Sequence, residues 1–114
     1  MTAAHFPKFA LGFPETIEAA HVGHPDFRVG GKMFATLGYP NEECAVLLLS
    51  PEEQRQLVSQ YPKMFESVPG GWGRRGSTQV LLNHVTKPVL KAAMERAWMR
   101  KAPKRLSKLR AEVK

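Results

Sequence analysis

The stretch Cys44-Ala-Val-Leu-Leu-Leu49 runs without a break into Ser50-Pro51-Glu52-Glu53, and this junction constrains the fold more than any other feature of the chain. An apolar run without alternation makes a strand that has no polar face to give to water, so it belongs inside a sheet with a covering layer. The next four residues start that layer. Ser50 can cap a helix, and Pro51 suits the first helical position, where a missing N–H costs nothing. Glu53 stands three residues after the cap, where its carboxylate can close a capping box. Glu52 and Glu53 also favour the positive end of the helix dipole. The junction predicts a central strand over 44–49 that turns at once into a helix running to about Gln60 and stopping before Tyr61-Pro62.

The remaining elements are read around this pair. His5–Leu11 is a short helix with Phe6, Phe9 and Ala10 on one side, ended by Gly12 and Pro14. A first strand is expected over 16–22. Asp26–Val29 and Lys32–Leu37 flank Gly30-Gly31, a two-residue link that tolerates the positive φ of a tight hairpin turn. Gly38-Tyr-Pro-Asn41 is a second turn. Residues 61–75, rich in Gly and Pro, read as a loop, and Ser77–Leu82 as another strand. Thr86 and Pro88 open the last long helix, whose Leu90, Met94, Ala97 and Trp98 form an apolar stripe. Pro103 interrupts it, because a residue before proline is pushed out of the helical region. Another turn or two, carrying Leu106 and Leu109, follows. Successive hairpins with helices that must cover them give an α+β fold: one two-layer domain over 1–114, an antiparallel sheet of about five strands, and helices on one face.

With 114 residues the chain is sized for one domain with a core of its own. No apolar run approaches the roughly 18 residues that span a bilayer, so no membrane association is expected. A single cysteine allows neither an internal disulfide nor a multi-cysteine metal site. Together with a beginning that lacks a secretory pattern, it fits a reducing cytoplasm. The charge is uneven. Residues 1–86 sum to −1, whereas residues 87–114 carry ten basic side chains against Glu95 and Glu112 and sum to +8. Concentrated positive charge attracts polyanions and speeds their encounter.

Few residues propose chemistry. Gly71-Trp-Gly73-Arg-Arg-Gly76 matches the dinucleotide pattern in letters only, since it follows a loop and opens a strand where a fingerprint follows a strand and opens a helix. Its glycines are better suited to shaping a turn that projects Arg74 and Arg75 beside Trp72, a combination fit for phosphate contact and base stacking. His21 and His24 are spaced for a metal but lack further ligands. Cys44 begins a buried strand, where a thiol is inert packing. No nucleophile–base arrangement is recognisable, so a non-catalytic protein without metal or cofactor is expected. The strongest feature is the basic end: Arg96, Arg100, Lys104 and Lys108 recur every four residues, with Lys101 and Arg105 one step around. On a continuous helix these would form one ridge able to follow phosphates without reading bases.

These blocks resemble the MmcQ/YjbR family. They are GHPDFRVGGKMFATL (23–37), LLLSPEE (47–53), GWGRRGS (71–77), and APKRL (102–106) after AMERAW (93–98). The resemblance implies a CyaY-like or secretion-chaperone-like α+β fold and a "double wing" DNA-binding role, the wings being hairpins. Carried onto this chain, the wings are the turns at Gly30-Gly31 and Gly73–Gly76, presenting Lys32, Arg74 and Arg75, while the APKRL block adds Lys104 and Arg105. Ser77 stands where many members have an aromatic residue. The expected interface therefore comprises Lys32, Trp72, Arg74, Arg75, Arg100, Lys101, Lys104, Arg105 and Lys108, binding nucleic acid without sequence preference, in a monomer or weak dimer. The competing expectation is a protein-interaction module that uses the open sheet face. A third is a small-molecule or enzymatic role in a pocket near His24, Trp72 and Arg74.

Overall fold

The computed structural model describes residues 4–21, 23–39 and 41–113. Its elements run α1 (His5–Leu11), β1 (Thr16–His21), β2 (His24–Val29), β3 (Lys32–Leu37), β4 (Cys44–Leu48), α2 (Pro51–Gln60), β5 (Phe65–Ser67), α3 (Gly71–Arg74), β6 (Ser77–Leu81), α4 (Lys87–Lys101) and α5 (Lys104–Val113). The strands form a single sheet ordered β1-β2-β3-β4-β6-β5, antiparallel at every pairing. β4 lies inside it between β3 and β6, as its uninterrupted apolar run requires. The capping box forms as expected. Glu53 N–H donates to Ser50 Oγ at 3.1 Å, and Ser50 N–H donates to Glu53 Oε1 at 3.0 Å.

The expected fold class holds, with six strands in place of about five. The additional strand, β5, falls within the stretch read as a loop. Three residues are too few to show a period of two, and only Phe65 among them is buried. It joins the edge of the sheet through β6, pairing Phe65 with Val80. β2 also starts earlier than read, at His24, opposite His21. The end of the expected first strand, Val22, lies outside the described residues.

One core holds the layers together. Phe27, Phe34, Leu47, Phe65 and Val80 from the sheet pack with Phe6 and Ala10 of α1, Leu57 of α2 and Leu90, Met94, Ala97 and Trp98 of α4. The α4 stripe read from the sequence is the buried face of that helix. Trp98 is fully buried, stacks on Phe13 with centroids 6.1 Å apart, and donates its indole N–H to Pro14 O at 3.2 Å. Burying an indole with its donor satisfied ties the last long helix to the link between α1 and β1. Asp26, wholly buried, accepts from both Nε and Nη2 of Arg28 at 2.8 and 3.1 Å, so its charge is paired where it is desolvated. That pairing raises the already high pKa of the guanidinium.

The strand β6 begins under unusually close contact. Gly76 has φ +112°, and a Cβ there would sit 1.9 Å from the carbonyl oxygen of Leu49. No side chain fits without moving the end of β4 away from β6, where Leu49 N–H donates to Gly76 O at 3.3 Å. Gly76→Ala is therefore expected to lower stability by about 3 kcal/mol, since it combines a disallowed backbone angle with a clash against main chain. Urea unfolding followed by circular dichroism measures this; a loss under about 1 kcal/mol would contradict the contact.

Candidate functional site

The geometry of the site starts from the capping box. By fixing the first turn of α2, it aims Gln54 into the protein, where its side chain is buried. Gln54 Nε2 donates to two carbonyl oxygens, Gly73 O at 2.9 Å and Ser77 O at 2.8 Å. Between these two anchors the chain makes the single helical turn α3 and enters β6. Gly73 is as constrained as Gly76, because a Cβ there would lie 1.6 Å from Val68 O. The glycines of Gly71–Gly76 thus serve close backbone packing. The turn read as a second hairpin wing at Gly73–Gly76 is instead helical, for this reason: Gly73 must press on Val68, and winding the chain achieves it in four residues. Arg74 and Arg75 end exposed, and Trp72 is half-buried.

The basic end is also rearranged relative to a continuous ridge. Ala102, preceding Pro103, is extended at ψ 144°, so α4 stops at Lys101. α5 then turns back, and Arg110 reaches Glu95 at 2.9 Å while lying over the rings of Phe13 and Trp98. The four-residue spacing consequently splits. Arg96 donates to Gln56 Oε1, and Arg100 Nη1 donates to the Leu48 carbonyl at 2.9 Å. Arg105 forms a two-pronged pair with Glu15 at 2.9 and 3.0 Å, which raises the Arg105 pKa and lowers that of Glu15. Lys104 and Lys108 of α5 are exposed.

Most of the remaining expected residues gather at one end of the sheet. The corner at Pro103 seats against the β2–β3 turn: a Cβ on Gly30 would come 2.9 Å from the proline ring, and Gly30 itself has φ +59°. This contact brings Lys32 up to the end of α4. A depression of about 260 Å³ lies beside it, lined by Leu48, Leu49, Trp72, Arg75, Ser77, Arg100 and Lys101. Burial, then the charge of Arg100, then that of Lys32, push the Lys101 ammonium below its ordinary pKa. The nearest opposing charge to Arg100 is Glu53, 4.0 Å from its Nε. Arg75, Arg100, Lys101 and Lys32 are therefore like charges held together by the fold.

Two side chains of this region were not read from the sequence. Gln54 carried no signal beyond its place in a helix. Tyr39, taken only as part of a turn, meets Trp72 edge to face at 5.6 Å with planes at 68°. The third expectation placed His24, Trp72 and Arg74 at one pocket; among the described residues Trp72 lines the depression above, and His24 lines another with Leu37, Gly38 and Glu42. Among the described residues no three His, Cys, Asp or Glu side chains are grouped to hold a metal. Cys44 is buried, and burial with Glu43 and Glu66 nearby raises its thiol pKa, keeping it in the unreactive form. No helix among those residues is long and apolar enough to cross a membrane.

The family model named YjbR matches residues 11–100, which include the whole sheet and every residue lining the Trp72 depression except Lys101. The chain belongs to the YjbR family. No curated protein matches it. Among solved structures, the crystal structure of Deinococcus radiodurans protein DR2400, with a domain of the model DUF419, is similar at a TM-score of 0.70 and 16% identity. The match covers 87% of this chain and 77% of that one. At that identity the likeness extends to the fold. The family assignment agrees with the motif blocks, of which 23–37, 47–53, 71–77 and 93–98 all lie inside the matched span.

The sign of the Lys101 effect gives a test on the free protein. A lysine whose pKa falls on folding opposes folding while it is charged, and this is relieved only as pH rises through the depressed value. Lys101→Gln is thus expected to leave the thermal midpoint at neutral pH unchanged or higher. A clear drop in the midpoint would show Lys101 to be a stabilising contact and not part of a strained cluster.

Proposed function

We propose that this YjbR-family chain is a non-catalytic nucleic-acid-binding protein that grips backbone phosphates at the end of the sheet formed by Lys32, Arg75, Arg100 and Lys101. Arg74, Lys104 and Lys108 lie on exposed positions that can extend the contact, and Arg105 contributes less because Glu15 already pairs with it. One observation carries the reading: Arg75, Arg100 and Lys101 line one depression with Lys32 close enough to act on Lys101, and among the described residues the ion-pair carboxylate nearest this group is Glu53, at 4.0 Å from Arg100. Clustered like charge is unfavourable in the free protein, and a phosphate chain relieves it. Lys and Arg contacts to phosphate hold a duplex or a single strand without reading sequence. The polar side chains lining the depression are Arg75, Arg100, Lys101 and Ser77 beside the Trp72 indole, a set suited to holding an anion.

The alternative of a protein-docking sheet face has less support. On the face away from the helices one row of paired residues crosses the entire sheet: Ala19, Asp26, Thr36, Val46, Gln79 and Glu66. Asp26, Thr36, Val46 and Gln79 of this row are buried, so the middle of the row offers a partner little surface. Among the described residues the large apolar side chains that are exposed, Leu11, Ile17, Tyr39 and Leu109, sit on four separate segments. Protein partners favour one contiguous apolar patch.

The test is a titration of labelled DNA, duplex and single-stranded, across a range of salt. If about four phosphates are neutralised, log affinity for duplex falls with log salt at a slope of about −3.6. The double variant Arg100→Ala, Lys101→Ala is expected to reduce that slope by about two contacts, to roughly −1.8. Absence of binding to either form at about 50 mM salt would overturn the proposal.

A further inference from the structure

We infer that the basic end of the sheet takes single-stranded nucleic acid in preference to duplex, an unpaired base stacking on Trp72 while neighbouring phosphates lie against Arg75, Arg100 and Lys101; this rests on the polyanion reading above. The two tryptophans of the chain make the case by contrast. Trp98 is fully buried with its N–H bonded, and it serves the core. Trp72 lies outside the core cluster and is half-buried, lining the same depression as three of the cations. Its aromatic neighbour, Tyr39, is 39% exposed and meets it edge to face, so two rings stand together beside the positive charge.

A duplex cannot use this arrangement. Its bases are stacked inside, and a rod presenting phosphates outwards leaves the indole in a recess with nothing to stack on. An unpaired base offers a free face, and aromatic side chains beside cations are how single strands are held without sequence preference. The ring is also placed in advance. Gln54 fixes both ends of the turn that carries Trp72, and Gly73 sets that turn against Val68, so little order remains to be imposed on binding.

The experiment measures affinity of the full chain for a labelled oligonucleotide, single-stranded and annealed, at the same low salt, while following tryptophan emission. Single strands are expected to bind at least about tenfold more tightly than duplex. They should also quench Trp72 emission, and the part contributed by buried Trp98 should persist. Trp72→Ala is expected to remove the preference by lowering single-strand affinity far more than duplex affinity, and Trp72→Phe to retain part of it. Equal affinity for the two forms, or a preference that survives Trp72→Ala, overturns the inference and leaves the polyanion reading standing. No binding of either form by the wild-type chain removes both.

Discussion

The basic end of the sheet depends on one side chain reaching two carbonyl oxygens. Gln54, turned inwards from the first part of α2, holds Gly73 O and Ser77 O at 2.9 and 2.8 Å. A buried amide donating twice is well satisfied, and losing it would strand two carbonyls away from water. The capping box fixes where Gln54 points, and Gly73 and Gly76 allow the backbone to come close enough to be held. Trp72 and Arg75 inherit their positions from this clamp. A loop of the same composition without it would carry the same charges to no definite place.

Electrostatics supplies the second organising theme. Where the chain buries a charge for stability, it pairs it closely, as with Asp26 and Arg28 or Glu95 and Arg110. Around Lys32, Arg75, Arg100 and Lys101 the pairing is looser, with Glu53 4.0 Å from Arg100, and the Lys101 pKa is lowered first by burial and then by the charges of Arg100 and Lys32. On the proposed reading, an external anion would supply the countercharge that the protein itself does not bring to this partly exposed group. That contrast, more than the total of +7, distinguishes the region from an ordinary basic surface.

Much of the fold was legible because its signals are local. The apolar run 44–49, the Ser50–Glu53 cap, the Gly30-Gly31 turn and the α4 stripe each depend on residues close in sequence. β5 escaped because three residues have no period to show, and α3 escaped because its helical turn is imposed from outside, by Val68 and Gln54. The grouping was partly legible: Trp72, Arg75, Arg100 and Lys101 line one depression, with Lys32 close to Lys101. The four-residue spacing of the basic side chains misled, since it presumes a helix that continues through Pro103. Partners far apart in the chain, such as Glu15 for Arg105 and Tyr39 for Trp72, have no local signature.

The seat of Pro103 against Gly30 joins two segments that look independent. The hairpin tip and the corner between the last two helices meet ring to backbone, with no room for even a methyl group between them. Insertions or deletions in one should therefore be tolerated only with compensating changes in the other. Across the family, loop length at the hairpin and the position of the helix-breaking proline are expected to vary together, as a matched pair inherited as a unit.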